Sequence, residues 1–255
     1  MYGMSPTYRR HLRENLAAAR YDEARVRRAA IAAAGQMLME APALWFRPHR
    51  DVVALVKDVQ GVDAVFAAQK AGKAILFLTP HMGSFEIAAQ YGATQFPLTV
   101  LYRRPKAGWL DPLMRDGRGR AGLRLVPANF SGVREIFTAI KRGAAVGFLP
   151  DQVPGVGEGE WSEFFGRPAY TMTLAAKLAG RDDVACFLAF AKRLPRGAGY
   201  ALRIRPLGDA RIGEKATRRL NRALEELVAE CPEQYLWGYN RYKTPAGAKP
   251  YSAAV

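Results

Sequence analysis

The chain has 255 residues, 49% of them hydrophobic and 24% charged; this composition fits a globular protein whose core folds without disulfides, and it excludes disordered and fibrous proteins. Its two cysteines, Cys186 and Cys231, form no CxxC pattern, so neither a structural zinc or iron–sulfur site nor an oxidising compartment is expected. The excess of 38 Lys and Arg over 23 Asp and Glu leaves a net charge of +15, which indicates an acidic partner: nucleic acid, an anionic membrane surface, a phosphorylated substrate or an acidic carrier protein.

The first part of the chain is predicted to be helical. Residues 7 to about 47 are rich in Ala, Arg, Leu and Met and predict one or two helices, followed by a short helix over 51–59. Polar residues and a proline interrupt the apolar stretch 29–46, and basic residues precede it, so neither a membrane-spanning helix nor a secretory signal is predicted. The end of this segment, Leu44-Trp45-Phe46, either lies on lipid or packs on the rest of the protein.

The remaining chain alternates short apolar runs with helical patterns. Strands are predicted at 74–78, 98–102, 123–126, 144–149, 184–191 and 200–205, and helices at 84–92, 109–114, 133–142, 171–178 and 214–230. This alternation predicts an α/β fold with a mixed, largely parallel sheet flanked by helices, because the last two strands follow each other through a turn. The segment 151–170 is rich in Gly and Pro and predicts a long functional loop.

The predicted organisation has three parts. An N-terminal helical segment (1–47), which includes the candidate membrane-facing stretch, precedes an α/β domain (48–243). The C-terminal tail (244–255) is expected to be frayed.

His81 is the most informative of the three histidines. It follows the apolar run 74–78 and precedes a predicted helix, at the carboxyl end of a strand, where α/β proteins place functional groups. If His81 lies in the turn before that helix, the Glu86 carboxylate reaches back to one imidazole nitrogen and keeps the ring ready to remove a proton. Gly83, between them, permits close approach of backbone or substrate. Position alone leaves a second interpretation open, in which His81 caps the helix and Glu86 is a surface residue.

Other catalytic patterns are absent from the sequence. It contains no GxSxG nucleophile turn, no GxxxxGK[ST] phosphate loop and no HExxH zinc motif. The glycines at 155–160 do not open a helix after a strand, so they do not predict a dinucleotide site.

Several blocks of the chain together resemble one enzyme family. They are TPHMGSFE at 79–86, LYRRPK at 101–106, DGRGR at 116–120, VP at 126–127, LPDQVP at 149–154, FFGRPAYT at 164–171, PEQYLW at 232–237 and NRYK at 240–243. The first is similar to the H-x4-[DE] motif of the lysophospholipid acyltransferase superfamily. All of them, in this order, resemble the late lauroyl/myristoyl acyltransferases of lipid A biosynthesis, over roughly residues 11 to 243.

The resemblance implies an O-acyltransferase that moves a fatty acyl group from a thioester to a hydroxyl of a lipid A precursor. The implied donor is acyl carrier protein, with His81 as general base, Glu86 as its orienting carboxylate and no covalent intermediate. The same chemistry with acyl-CoA, or on another glycolipid or a lyso-phospholipid, is an alternative. A basic nucleic-acid-binding protein is a distant alternative, because no nucleic-acid-binding motif accompanies the charge, and no nucleic acid is expected as partner. No metal or redox cofactor is implied.

The same blocks supply candidate substrate-binding residues. They are Gly83 and Ser84 beside the histidine, Tyr102 and Arg103 in the second block, Arg118, and Asp151 and Gln152 after a predicted strand. A guanidinium such as that of Arg103 suits a phosphorylated lipid acceptor, because its fork bonds two phosphate oxygens. Four aromatic residues are candidates either for an acyl-chain slot or for ordinary core packing: Trp161, Phe164, Phe165 and Tyr170.

The location follows from the charge and from the resemblance. Members of the family usually begin with a membrane anchor, and nothing anchor-like precedes His11. We therefore expect a peripheral protein held by its basic residues at the anionic cytoplasmic face of the inner membrane.

Overall fold

A computed structural model describes residues 2–3, 5–105 and 107–252. Within those ranges the chain forms nine α-helices and nine β-strands. The helices are α1 (Pro6–Ala18), α2 (Ala24–Phe46), α3 (His49–Val53), α4 (Val62–Lys70), α5 (Phe85–Gln95), α6 (Leu110–Arg118), α7 (Phe130–Lys141), α8 (Thr173–Leu178) and α9 (Ala216–Ala229). The strands are β1 (Val56–Gln60), β2 (Ala74–Leu78), β3 (Leu98–Tyr102), β4 (Leu123–Pro127), β5 (Ala145–Phe148), β6 (Gly159–Phe164), β7 (Arg167–Met172), β8 (Val184–Arg193) and β9 (Tyr200–Pro206).

Seven strands form one twisted sheet in the order β1-β9-β8-β2-β5-β3-β4. Within the described residues, β8 and β9 are its one antiparallel pair, and every other neighbouring pair is parallel. The prediction of a mixed, largely parallel sheet is therefore confirmed. β2 lies near the middle of the sheet, and all five of its residues are buried.

The side chains of β2 alternate between two apolar layers. Leu76 and Leu78 pack on one face of the sheet with residues of α7 and α9, whereas Ile75 and Phe77 pack on the other face with residues of α4 and α5. A strand that is covered on both faces needs apolar residues at every position, and the sequence of β2 is such a continuous apolar run. This double cover fixes the carboxyl end of β2, and with it the loop that carries His81.

Two local predictions are wrong, and one helix was not predicted. The predicted helix 51–59 ends as α3 at Val53, because the following residues form the edge strand β1 beside β9. The second half of the predicted loop 151–170 forms an antiparallel hairpin of β6 and β7, which turns at Phe165 and Gly166, both with positive φ. Helix α4, between β1 and β2, was not predicted.

The N-terminal helices pack on the sheet domain. Glu40 on α2 accepts hydrogen bonds from Arg193 and from the hydroxyl of Tyr200, which joins the helix to β8 and β9. Met39 and Phe46 on the same helix stay 80% and 61% exposed. The sequence left open whether the end of this segment packs on the rest of the protein or lies on lipid. The structure shows α2 packed on the sheet domain, and contact with lipid stays a prediction. Among the described residues, no helix combines the length and the apolarity needed to cross a membrane.

Two residues of the C-terminal tail contact Trp161 of β6. The indole nitrogen of Trp161 donates to the carbonyl of Lys249 at 2.9 Å, and the ring of Tyr251 lies edge-on to that indole. Residues 253–255 of the predicted tail lie outside the described residues, as does Lys106 of the second family-like block.

Candidate active site

The candidate site lies where three neighbouring parallel strands end. His81 follows β2, Asp151 and Gln152 follow β5, and Tyr102 and Arg103 end β3 or follow it. These strands are adjacent in the order β2-β5-β3, and parallel strands bring their carboxyl ends to one edge of the sheet. Topology therefore gathers residues that are up to 71 positions apart in the sequence.

The backbone around His81 is held in one conformation. The amide nitrogen of Thr79 donates to the carbonyl of Phe148 on β5, and Gly83 has a φ of +56°. A Cβ atom on Gly83 would lie 2.1 Å from the carbonyl oxygen of Ala191, so the predicted close approach at this glycine is made by the backbone of β8. A side chain here would displace the loop that carries His81.

Asp151 holds the imidazole of His81. Its Oδ1 lies 2.8 Å from Nδ1 of the ring, and its Oδ2 accepts from the backbone amide of His81 at 2.8 Å. Burial on its own would raise the pKa of Asp151, but the charge of His81, its hydrogen bonds and the charge of Arg241 together hold that pKa below its ordinary value. An ionised carboxylate at Nδ1 selects the tautomer that leaves Nε2 free to accept a proton.

The other imidazole nitrogen faces the cleft. Nε2 of His81 lies 3.0 Å from the side-chain amide nitrogen of Gln152, and the ring of Phe85 packs edge-on against the imidazole. With Nδ1 protonated toward Asp151, Gln152 donates and Nε2 accepts. The amide thus occupies the position that a hydroxyl proton of a substrate would take.

Glu86 does not orient His81, which corrects the geometry expected from the sequence. Its carboxylate accepts two 2.9 Å hydrogen bonds from Nε of Arg118, a further bond from the same guanidinium, and one at 3.2 Å from the indole of Trp45. Glu86 lies in the first turn of α5, so its side chain points toward α6 and the end of α2. Asp151, and not Glu86 as the H-x4-E spacing predicts, lies at Nδ1 of His81.

Arg118 is fixed on three sides. Glu86 binds its guanidinium, and the rings of Trp45 and Tyr102 lie 5.4 Å and 5.7 Å from its central carbon. The Tyr102 hydroxyl donates to Asp111 at 2.9 Å; burial and that carboxylate raise the pKa of Tyr102 to about 12. A cation held by two rings and one carboxylate is oriented before any ligand arrives.

A cleft of about 280 Å³ connects these groups. Its lining includes the predicted site residues His81, Glu86, Tyr102, Arg103, Arg118 and Gln152. Asp151, Gly83 and Ser84 do not line it. Asp151 lies behind the imidazole, and Ser84 is fully buried, so the predicted contacts of Asp151 and Ser84 with a substrate do not fit this geometry.

A second, apolar cavity of about 50 Å³ adjoins the cleft. Five residues line both spaces: Phe85, Ala89, Val100, Phe148 and Leu149. The apolar cavity continues between α5 and the sheet to Gly92, Phe96 and Gly147. The cleft reaches the imidazole, and no charged side chain lines the adjoining cavity.

The aromatic residues proposed for an acyl slot lie elsewhere. Phe164 is buried and packs against the rings of Phe165 and Tyr242, and Trp161 packs on Tyr170. None of the four lines the cleft or the adjoining cavity. Core packing of the β6–β7 hairpin, the other interpretation of these residues, is what the structure shows.

Sequence reasoning missed the partnership of His81 with Asp151, although a signal existed. Asp151 directly follows a buried strand, and a strand order that places β5 beside β2 brings it to the histidine. No three His, Cys, Asp or Glu side chains within the described ranges are grouped so as to bind a metal ion.

The α/β fold and this site define the class of protein. A carboxylate-bound imidazole at the edge of the sheet, open to a cleft that is apolar on one side and cationic on the other, is an arrangement typical of enzymes. Comparison with known families makes the assignment specific. Residues 4–244 match the model of the bacterial lipid A biosynthesis acyltransferases, and the chain belongs to that family. The predicted enzyme class, an O-acyltransferase, is thereby confirmed.

Three individual relatives also have names that belong to this family. The chain is 29% identical over 217 residues to the lipid A biosynthesis palmitoleoyltransferase of Escherichia coli (strain K12), covering 84% of this chain and 70% of the relative. It is 28% identical over 217 residues to the lauroyltransferase of the same organism, covering 82% and 69%. The myristoyltransferase of that organism is 28% identical over 204 residues, covering 76% and 62%.

Proposed function

We propose that the protein transfers a fatty acyl group from the thioester of an acyl carrier protein to a hydroxyl of a lipid A precursor. The observation that carries the proposal is the His81–Asp151 pair, whose free nitrogen faces a cleft that shares five lining residues with an apolar cavity. The acceptor is taken from the names of the relatives, which are lipid A acyltransferases.

The reaction needs one base and no covalent intermediate. Nε2 of His81 removes the proton of the acceptor hydroxyl while its oxygen attacks the carbonyl carbon of the thioester. The Asp151 carboxylate stabilises the imidazolium that forms. The tetrahedral intermediate then expels the thiolate, which takes up the proton from Nε2, so that an ester and a free thiol leave the site.

Gln152 must give way for this to happen. Its amide lies 3.0 Å from Nε2, at the distance that a hydroxyl donor would adopt. The acceptor hydroxyl replaces one hydrogen bond with another, so its binding need not leave the imidazole nitrogen without a donor.

The cationic side of the cleft suits the phosphorylated part of the acceptor. Arg118 is held rigidly by Glu86 and two rings, while Arg103 lies exposed at the rim of the same cleft. A fixed guanidinium binds phosphate with little loss of side-chain freedom, and an exposed one adjusts to the ligand. In this proposal Glu86 acts on Arg118 and through it on the acceptor.

In this proposal the acyl chain binds on the apolar side of the cleft. A chain whose carbonyl carbon lies near Nε2 would pass between Phe85 and Leu149 into the cavity lined by Gly92, Phe96 and Gly147. Phe85 lines both spaces, so a rotation of its ring would widen the passage. Burial of each methylene contributes about 0.8 kcal/mol.

The acyl-carrier donor and the location at the cytoplasmic face of the inner membrane rest on charge. The net charge of +15 favours an acidic carrier protein and an anionic leaflet, each basic residue near such a leaflet contributing about 1 kcal/mol. Exposed Met39 and Phe46 on α2 offer apolar side chains to the same surface.

The proposal is tested by incubating the purified protein with acyl carrier protein or coenzyme A loaded with lauroyl, myristoyl or palmitoleoyl groups. Lipid A precursors, another glycolipid and lyso-phospholipids serve as acceptors, and products are identified by mass. We expect ester formation on the lipid A precursor from the carrier-protein donor, abolished in His81→Ala and kept in the control His11→Ala. A folded His81→Ala protein with normal turnover would refute the base, and transfer only to lyso-phospholipids would refute the acceptor.

A further inference from the structure

The block DGRGR at 116–120 contacts the C-terminal end of α2. Gly117 on α6 is buried and lies so close to this end that a Cβ atom on it would be 2.4 Å from Cβ of Trp45 and 2.7 Å from Cγ. Any side chain on Gly117 would push the indole away from α6, because close-packed atoms leave no space for it. The glycine therefore lets the two helices meet directly.

Arg120 fastens the same end of α2. Its Nη1 donates to the carbonyl of Arg47 at 2.6 Å, its Nη2 donates to the carbonyl of Leu44, and its Nε donates to the carbonyl of Gly117 at 2.9 Å. The last carbonyls of a helix have no partner within the helix, and a cation at that end is also favoured by the helix dipole. Gln90 on α5 donates to the carbonyl of Leu44 as well, at 3.2 Å. The end of α2 is therefore tied both to α5 and to the loop after α6.

Trp45, held in this way, contacts both partners of the ion pair on the cationic side of the cleft. Its indole nitrogen donates to Oε2 of Glu86 at 3.2 Å, and its ring lies 5.4 Å from the central carbon of the Arg118 guanidinium. Glu86 and Arg118 line the cleft, whereas neither Trp45 nor Arg120 does. The indole therefore acts on side chains that line the cleft without lining it itself.

We propose that Trp45 and Arg120 are positioning residues for Arg118, and that the end of α2 is a part of the acceptor site. This inference rests on the function proposed above, in which Arg118 binds the phosphorylated part of the acceptor. Arg120 keeps the end of α2 in place, and the indole of Trp45 keeps Glu86 and the Arg118 guanidinium in place. A guanidinium that is held in one orientation loses less side-chain freedom when it binds phosphate, so the acceptor binds more tightly.

The competing explanation is that α2 merely packs on the sheet domain, as it does where Glu40 binds Arg193 and Tyr200. The two roles predict different kinetics. Loss of packing alone lowers the fraction of folded enzyme, and with it the turnover of every acceptor by the same factor. Loss of positioning weakens the contact with phosphate, so the KM of a phosphorylated acceptor rises while the KM of the same acceptor without phosphate does not.

The first experiment measures KM for a lipid A precursor and for the same precursor after enzymatic removal of its phosphates. We expect Trp45→Leu, which loses both the hydrogen bond and the ring, to raise the KM of the phosphorylated precursor by about tenfold. Trp45→Phe keeps a ring and should raise it less. Neither variant should change kcat or the KM of the dephosphorylated precursor. The matched control is Trp161→Phe, which removes an indole that donates to the carbonyl of Lys249 and should change neither KM.

Gly117→Ala displaces the indole without removing any hydrogen-bonding side chain. Its Cβ would lie 2.4 Å from Trp45, so we expect the KM of the phosphorylated precursor to rise as in Trp45→Leu. The matched control is Gly35→Ala, which adds the same methyl group to α2 at a position where no atom lies within 4 Å. It should leave both KM values unchanged.

Arg120 gives a further test in which the indole itself is not altered. Arg120→Gln releases the carbonyls of Leu44 and Arg47 and should raise the KM of the phosphorylated precursor alone. The matched control is Arg219→Gln, which loses a similar contact between a guanidinium and a backbone carbonyl, that of Gly208. It should leave both KM values unchanged.

A double-mutant cycle distinguishes this inference from the proposed function. In an Arg118→Ala background there is no guanidinium to hold, so Trp45→Leu, or Trp45→Phe if the first does not fold, should cause no further rise in KM. An equal rise in both backgrounds would overturn the inference. A raised KM in Arg118→Ala alongside wild-type values in the folded Trp45, Gly117 and Arg120 variants would overturn this inference alone. A wild-type KM in Arg118→Ala would overturn the phosphate contact and the inference with it, whereas full activity in His81→Ala would overturn the proposed base.

Discussion

Nδ1 of His81 lies 2.8 Å from Oδ1 of Asp151, a residue 70 positions further along the chain. The second oxygen of the same carboxylate binds the backbone amide of His81 at 2.8 Å, so one side chain fixes both the ring and the loop that carries it. This double contact makes Asp151, and not Glu86, the residue on which the orientation of the imidazole depends.

The first prediction concerns this carboxylate. Asp151→Asn keeps the size of the side chain but cannot stabilise an imidazolium, so we expect kcat to fall by about 100-fold to 10,000-fold, the range for loss of acid–base catalysis. Acceptor KM should change little, because Asp151 does not line the cleft. Steady-state kinetics of the folded variant decide the matter, with Asp209→Asn, an exposed aspartate, as control. A kcat within twofold of the wild type would contradict the assignment.

The same residue predicts how stability depends on pH. The pKa of Asp151 in the folded protein is below its ordinary value of 3.8, so its ionisation stabilises the fold above that value, and this stabilisation is lost as the pH falls toward the folded pKa. Chemical unfolding at a series of pH values should show the wild type more stable than Asp151→Asn at pH 7. The difference should shrink below about pH 4. A difference that grows as the pH falls would mean that the carboxyl is protonated in the native protein.

Glu86 leads to a different prediction, because its partner is Arg118. Glu86→Gln removes the ion pair and frees the guanidinium, so we expect the acceptor KM to rise more than kcat falls. Arg118→Lys should resemble it, since lysine lacks the fork that binds two oxygens. A double-mutant cycle on acceptor KM should give a coupling of about 0.5–3 kcal/mol, as for residues in contact. Loss of kcat alone in Glu86→Gln would instead support the sequence-based role of Glu86 beside the imidazole.

The contrast between Glu86 and Asp151 shows what the sequence can and cannot predict. The strand 74–78 was predicted correctly because both of its faces are covered and every residue is apolar, and the position of His81 followed from it. The partner of His81 was not predicted, because proximity along the chain favoured Glu86, whereas the parallel pairing of β2 with β5 brings Asp151 to the ring.

The hairpin of β6 and β7 was missed for another reason. The glycines and prolines in 154–168 indicate a loop and not a strand. The turn also needs a positive φ at Phe165, and a phenylalanine in the sequence does not indicate that conformation. Arg118 was predicted as a site residue from the family blocks, but its cradle of Trp45, Tyr102 and Glu86 comes from three separate elements. Only the fold brings these together.

The proposed acyl-chain cavity predicts a change in specificity. A Cβ at Gly92 would lie 3.6 Å from Leu98, an ordinary contact, so Gly92→Ala should fold and keep the wild-type preference among acyl chains. Gly92→Leu places a larger side chain toward the cavity and should shift the preference to shorter chains. Competition between carrier proteins loaded with chains of different length, followed by mass analysis of the products, measures the shift. An unchanged preference in a folded Gly92→Leu protein would place the acyl chain elsewhere.

The last prediction concerns attachment to a membrane. If charge holds the protein on an anionic leaflet, sedimentation with anionic vesicles should weaken steeply as salt rises from about 0.1 M to about 1 M, where the Debye length falls from about 10 Å to about 3 Å. Neutral vesicles are the control for the lipid, and Met39→Ser, which removes an exposed apolar side chain of α2, tests the part of binding that persists in high salt. We expect Met39→Ser to lower that residual binding and to leave the salt dependence unchanged. Binding that does not respond to salt would show that the attachment is hydrophobic and that the excess of arginine and lysine serves another partner.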